Sequence, residues 1–224
     1  SRDQDVFCGT WDQSDCYKLM EYKYNGELYK EFTKDEAYEW GLKNYSHWLI
    51  NLQDQENMPK TPVEKFFRYY TQGIHYSINR ILRYGDIETY VFDNNVLSKD
   101  MFIEGIDEIR KNIIGENIVV HRYVSKNILH DMKKWGNRSV GPRRKGNILM
   151  DKGFMSTTLS LSSVSDRDYA NPFNHSLLTI YVPKGTPGVY VDLISDMHEN
   201  EILFAPGIKL KVISSLLGRR IECV

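Results

Sequence analysis

The 224-residue chain has only three cysteines, Cys8, Cys16 and Cys223, and none stands in a C-x-x-C spacing. Cysteine-based zinc sites usually carry such spacings, so the sequence predicts no metal site built on these thiols. A disulfide between Cys8 and Cys16, or from either one to Cys223, would fit an oxidising compartment. Because the count is odd, one thiol is left over in any of these pairings.

Long apolar runs and an excess of one charge are also missing. No stretch approaches the roughly 18 apolar residues of a membrane-spanning helix, and 29 basic residues against 30 acidic ones leave a formal net charge of −1. Nucleic-acid and anionic-membrane binders usually carry a basic excess, so we expect neither partner. The absence of a G-x-G-x-x-G fingerprint argues against a Rossmann dehydrogenase.

What is present suffices for a folded domain, since 41% of the residues are hydrophobic and 12% aromatic. The first half predicts helices over residues 33–52, 63–85 and 98–113. Thr33 is a plausible N-cap with Glu36 three residues later. The third helix is the weakest of these predictions because Gly105 lies inside it.

From residue 117 onward, short runs rich in Val, Ile and Tyr alternate with Gly and Pro, as is typical of strands. These runs are "NIVVHRYV", "GFMSTT", "HSLLTIYVP", "GVYVDLI", "NEILFAP" and "IKLKVISSLL". One helix, "SKNILHDMKKWG", intervenes. We therefore predict one α+β domain over residues 1–224, with a helical half at about 1–116 packed on a β-rich half at about 117–224.

Two carboxylates, Glu199 and Glu201, stand one residue apart where an apolar strand begins. On an extended segment both side chains share one face, and each raises the pKa of the other unless a cation or hydrogen-bond donors compensate. A paired-carboxylate glycosidase would explain this pair. It would explain neither Arg122 in "VVHRYV" nor the Ser-Thr-Thr of "GFMSTT".

The order Arg, then Ser156-Thr157-Thr158, then Glu-x-Glu resembles the mono-ADP-ribosyltransferases, in particular the bacterial toxin branch that includes actin-modifying enzymes. Those enzymes have Ser where this chain has Thr158, a change that keeps the hydroxyl. The helices "DEAYEWGLKNYSHWL" and "YYTQGIHYSINRILR" extend the resemblance to residues 33–216. It implies the ADP-ribosyltransferase fold, with a helical layer on a two-sheet antiparallel β core.

The resemblance also implies the roles of the catalytic residues. Glu201 would hydrogen-bond the nicotinamide ribose of NAD and stabilise the positive charge that develops as the glycosidic bond breaks. Ser156 would orient that carboxylate, and Arg122 would bind the pyrophosphate with bidentate donors. Further NAD contacts are expected from Thr157, Arg167, Tyr70, Tyr76 and Asn79.

In this family a Glu two residues before the catalytic Glu accompanies modification of arginine, because a carboxylate can position a guanidinium. Glu199 therefore predicts NAD-dependent mono-ADP-ribosylation of arginine on a host protein, with actin the first candidate. We expect a secreted, monomeric enzyme that consumes NAD and needs no metal. Two alternatives stay open: a dedicated NAD glycohydrolase, and a catalytically silent protein-binding module of the same fold.

Overall fold

A computed structural model describes residues 22–52, 61–85, 98–136, 145–164, 173–195, 197–216 and 219–224. The helices are α1 (Lys34–Leu52), α2 (Pro62–Tyr69), α3 (His75–Tyr84), α4 (Lys99–Lys111) and α5 (Lys126–Gly136). The strands are β1 (Tyr22–Tyr24), β2 (Glu27–Tyr29), β3 (Ile118–Ser125), β4 (Ile148–Asp151), β5 (Met155–Thr158), β6 (His175–Val182), β7 (Val189–Tyr190), β8 (Glu201–Phe204), β9 (Ile208–Leu216) and β10 (Arg220–Cys223).

Local signals explain where the helices begin. The Thr33 N–H donates to Glu36 Oε2 at 2.9 Å and the Glu36 N–H donates to Thr33 Oγ1 at 3.4 Å, so the predicted capping box of α1 is confirmed.

The third predicted helix, α4, also forms although Gly105 lies inside it. Gly105 faces Phe66 across the α2–α4 contact, and a Cβ at this position would collide with the Phe66 ring. The glycine therefore lets the two helices approach closely.

The helix predicted over residues 63–85 is interrupted. A π-helical turn, Tyr70–Ile74, separates α2 from α3, and Gly73 adopts a φ of +122°. Few residues other than glycine tolerate that conformation. Such π-turns inside helices are frequent at functional sites, and Tyr70 lies at the start of this one.

Eight strands form one sheet in the order β4-β9-β10-β6-β3-β5-β8-β7, and β1 and β2 form a separate hairpin. The α+β class is confirmed. The expected core of two antiparallel sheets differs in detail, because hydrogen bonds join these eight strands continuously and β10 runs parallel to β6. The chain reaches this parallel pairing by turning back from β9, which is antiparallel to β10.

The sheet brings the three sequence motifs together. Strand β5 lies between β3 and β8, so the Arg, Ser-Thr-Thr and Glu-x-Glu motifs occupy three neighbouring strands. His121 of β3 pairs with Thr158 of β5, which in turn pairs with Glu201 of β8. A buried aromatic group fixes the helices against this region, and its members are Phe66, Phe67, Tyr70 and Phe154.

Cys223 is buried on β10 as a free thiol, and burial raises the pKa of this thiol to about 12. Cys8 and Cys16 lie outside the described residues. Among the helices that the structure describes, none is both long enough and apolar enough to cross a bilayer.

Candidate active site

A cleft of about 670 Å³ opens over β3, β5 and β8 and is walled on one side by the π-turn and α3. This volume falls within the range of about 300–1,000 Å³ that is usual for ligand pockets. Eight residues named from the sequence line it: Tyr70, Tyr76, Asn79, Arg122, Ser156, Thr157, Glu199 and Glu201. The ninth, Arg167, lies outside the described residues.

Glu201 is the first residue of β8 and accepts a hydrogen bond from the Ser156 hydroxyl on the neighbouring strand. Burial raises the pKa of the Glu201 carboxyl to about 7. The Ser156 hydrogen bond opposes this rise, and so does the more distant charge of Arg122. Glu199 adds to it. Glu201 can therefore change its protonation state close to neutral pH.

Glu199 lies just outside the strand, in a turn of unusual backbone geometry. Its neighbours His198 and Asn200 have φ values of +49° and +54°. The Thr158 hydroxyl donates to the Glu199 carbonyl oxygen at 2.6 Å and so ties the turn to the end of β5. As expected from the spacing, both carboxylates reach one cleft, while Asn200 between them is buried.

Arg122 belongs to a buried charge cluster that the sequence did not predict. Asp151 is fully buried and accepts two hydrogen bonds from Arg83, from Nε at 2.9 Å and from Nη2 at 2.8 Å. The Arg122 Nη1 atom lies 3.2 Å from Asp151 Oδ2. This nitrogen is itself buried and donates a hydrogen bond to no described residue. Two guanidinium groups thus share one carboxylate, which leaves positive charge facing the cleft.

The remaining predicted residues differ in exposure. Tyr70 is buried, and burial raises the pKa of its hydroxyl above the usual range. Asn79 donates to the Tyr70 hydroxyl at 3.3 Å and accepts from the Phe154 N–H at 2.7 Å. Tyr76 stands at the rim with 81% of its surface exposed. The Thr157 hydroxyl donates to the Ile202 carbonyl at 3.0 Å, so its one proton is already used within the sheet.

Sequence reasoning missed three charged residues that support the site: Arg83, Asp151 and Asp192. The first two gave a weak signal, since each stands at the end of an element that leads to the cleft. Asp192 gave none, because its partners lie in the turn around Asn200. Within the described ranges, no group of three or more His, Cys, Asp and Glu side chains could hold a metal ion.

Comparison with known proteins shows the family to which the chain belongs. A sequence model of the ADP-ribosyltransferase exoenzymes matches residues 37–220, well over half of the chain. The chain therefore belongs to the ADP-ribosyltransferase exoenzyme family, and the resemblance noted from its motifs is confirmed.

Among individual proteins, the mono(ADP-ribosyl)transferase SpvB of Salmonella typhimurium is 29% identical over 162 residues, which is 66% of this chain and 26% of that protein. The chain thus spans about a quarter of the length of the curated relatives it matches. Solved structures with the same fold include BECa, from a binary enterotoxin of C. perfringens, with NADH (TM-score 0.62, 21% identity, 88% of this chain and 50% of that one). The C3 exoenzyme of Clostridium limosum is another (TM-score 0.58, 21% identity, 88% and 96%). At these identities the likeness establishes the fold of bacterial ADP-ribosylating toxins.

Proposed function

We propose that this chain transfers ADP-ribose from NAD to an arginine side chain of a host protein, and that it hydrolyses NAD when no acceptor is bound. The observation that carries the proposal is the presence of two carboxylates, Glu199 and Glu201, in one cleft with Arg122 and Ser156. A single catalytic carboxylate would suffice to cleave NAD. The second carboxylate needs another positively charged partner, and an arginine guanidinium matches a carboxylate in charge and geometry.

Glu201 would act on the ribose next to the bond that breaks. Cleavage of a glycosidic bond develops positive charge on the sugar, which a nearby ionised carboxylate stabilises. The Ser156 hydrogen bond favours the ionised form, and a developing cation would favour it further. A carboxyl whose pKa is about 7 can respond to such a cation within the physiological pH range.

Arg122 would bind the pyrophosphate. Its side chain lines the cleft and is 14% exposed, while its Nη1 atom is buried 3.2 Å from Asp151 Oδ2, so the exposed part of the guanidinium can donate to a phosphate oxygen. Because Arg83 already occupies both oxygens of Asp151, this carboxylate cannot neutralise both guanidinium groups. The remaining positive charge supports binding of a dianion. We assign Tyr70, Tyr76, Asn79 and Thr157 to the walls of the same NAD site, and Arg167 to a further NAD contact.

Glu199 would receive the acceptor. Since it stands in a turn at the mouth of the cleft, a substrate side chain can reach it from outside the protein. Its carboxylate would pair with an arginine guanidinium and take up a proton as that nitrogen attacks the ribose carbon, whose bond to nicotinamide breaks so that nicotinamide leaves. We propose a secreted enzyme that acts as a monomer, with actin as the first host protein to test.

The experiment is to incubate the chain with labelled NAD and a host-cell lysate and to map the modified residue by mass spectrometry. Glu199→Gln and Glu201→Gln are assayed in parallel for transfer and for NAD hydrolysis. We expect Glu201→Gln to lose both activities, whereas Glu199→Gln loses mainly transfer. Each variant replaces one carboxylate by an amide, and the two positions lie two residues apart. Each variant therefore serves as the matched control for the other.

Other outcomes would identify the alternatives. NAD hydrolysis without any labelled protein would indicate a dedicated NAD glycohydrolase. No NAD-dependent activity in a correctly folded chain would indicate a silent binding module. Equal loss of both activities in both variants would contradict the division of roles between Glu199 and Glu201.

A further inference from the structure

The residue between the two carboxylates, Asn200, is a buried polar residue that forms hydrogen bonds through both its backbone and its side chain. It is only 2% exposed, and its φ of +54° is a conformation that asparagine tolerates better than most residues. Its backbone N–H donates to Asp192 Oδ1 at 2.9 Å, and its carbonyl accepts from the Leu159 N–H at 3.0 Å. Both backbone groups are therefore satisfied inside the protein.

The Asn200 side chain uses its amide fully as well. Its Nδ2 donates to the Ser163 hydroxyl at 2.9 Å and to the Lys34 carbonyl at 3.3 Å, and its Oδ1 accepts from the Tyr190 hydroxyl at 2.7 Å. We call Asn200, Asp192, Tyr190 and Ser163 the Asn200 clamp. It joins the Glu-x-Glu turn to the first residue of α1, to β7 and to two 3₁₀ turns, Leu161–Ser163 and Asp192–Ile194.

From this geometry we infer that Asn200 is a positioning residue that sets Glu199 relative to Glu201, and so determines how much of the cleaved ADP-ribose reaches a protein acceptor rather than water. The inference rests on the proposed function of the site. Asn200 itself is buried and does not line the cleft.

The two carboxylates depend on the clamp to different extents. Glu201 is held by strand pairing with Thr158, by the hydrogen bond between its carbonyl and the Val191 N–H at 3.0 Å, and by Ser156. Glu199 lies outside the β8 ladder. Its backbone is held by the Thr158 hydroxyl on its carbonyl and by Asp192, which accepts from the N–H groups of both Glu199 and Glu201, and Glu199 lacks the strand pairing that also holds Glu201. Loosening Asn200 should therefore displace Glu199 further than Glu201.

Asn200→Gly tests this dependence. Glycine accepts the positive φ and keeps the backbone N–H that binds Asp192, so the variant removes the side-chain bonds and allows the same backbone conformation, with more backbone freedom in the turn. A displacement of about 1 Å can lower a rate by roughly 100-fold. We expect transfer to protein in a host-cell lysate with labelled NAD to fall about 10- to 100-fold, while NAD hydrolysis without lysate stays within about threefold of wild type.

Asn117→Gly is the matched control, because it also replaces an asparagine whose side chain makes three hydrogen bonds, here to Glu27 Oε2, to the Leu28 carbonyl and from the Lys184 N–H, away from the cleft. It should lower the melting temperature without changing the ratio of transfer to hydrolysis. If Asn200→Gly is too unstable to assay, Ser163→Ala tests the inference instead, since it removes a single clamp partner. We expect the ratio of transfer to hydrolysis to fall several-fold in this variant.

An unchanged ratio in a folded clamp variant, or a parallel fall in both activities, would overturn the inference. The wild-type chain separates this result from failure of the proposed function. A wild type that labels no arginine overturns both, whereas a wild type that labels arginine while the clamp variants keep its ratio overturns the role of Asn200 alone.

Discussion

Replacing Glu201 by Gln should make the folded protein more stable at neutral pH while it abolishes activity. The carboxyl ionises at a pKa near 4.5 in an ordinary environment, but burial in the cleft raises this pKa to about 7. Between these two pH values the folded state holds a proton that the unfolded chain has released. The free energy of unfolding of the wild type therefore contains a contribution that is fully present below pH 4.5 and is lost as the pH rises through about 7.

The size of this effect follows from the pKa difference. A rise of about 2.5 pH units, at about 1.36 kcal/mol per unit, corresponds to about 3 kcal/mol. Gln cannot ionise, so Glu201→Gln should not show this loss. Below pH 4.5 the two proteins should have similar free energies of unfolding, and above pH 7 the variant should be more stable by about 3 kcal/mol.

The assay is urea unfolding of both proteins at several pH values between 4 and 8, with the difference in free energy plotted against pH. Contributions from carboxylates far from Glu201 cancel in this difference. Glu104→Gln, on the exposed face of α4, controls for the removal of one negative charge. A difference that stays constant across the whole range would refute the reasoning, because it would mean that Glu201 ionises alike in the folded and unfolded states.

Two further predictions concern the groups around Glu201. Asp151→Asn should destabilise the protein by about 3–5 kcal/mol in urea unfolding, because it leaves the buried Arg83 and Arg122 guanidinium groups without their carboxylate. The control is Asp107→Asn, which breaks an exposed ion pair and should lower the free energy of unfolding by less than about 1 kcal/mol. Equal losses in the two variants would contradict the account. Ser156→Ala removes a hydrogen bond that lowers the pKa of Glu201, so the acidic limb of NAD hydrolysis should move up by about one pH unit; a move to lower pH would count against this.

The parts of the fold that follow from local chemistry could be predicted from the sequence. Thr33 with Glu36 gave the start of α1, and the apolar periodicity gave the helical region 63–85 and the strands that carry the three motifs. Eight of the nine candidate site residues could also be grouped from the sequence as residues that line one cleft. Their motifs fall on strands that the sheet places side by side, so the side chains converge although they are far apart in sequence.

Features that depend on distant contacts could not be predicted in this way. Strands β1, β2, β4 and β10 have only three or four residues each and carry none of the three motifs, unlike β5 and β8, which are equally short. The pairing of Arg83 with Asp151 joins residues 68 positions apart. Asn200 reads as an ordinary spacer in "ENE", and only the folded chain brings Asp192, Tyr190 and Ser163 to it.

The central claim is that Glu199 and Glu201 serve two different positively charged groups, an incoming guanidinium and a developing ribosyl cation. The most direct measurement maps the ADP-ribosylated residue by mass spectrometry after wild type and Glu199→Gln have acted on a host-cell lysate, with NAD hydrolysis measured on the same preparations. The account predicts a modified arginine with the wild type, and loss of that modification with retained NAD hydrolysis in Glu199→Gln. A different acceptor residue, or undiminished arginine modification by Glu199→Gln, would contradict it.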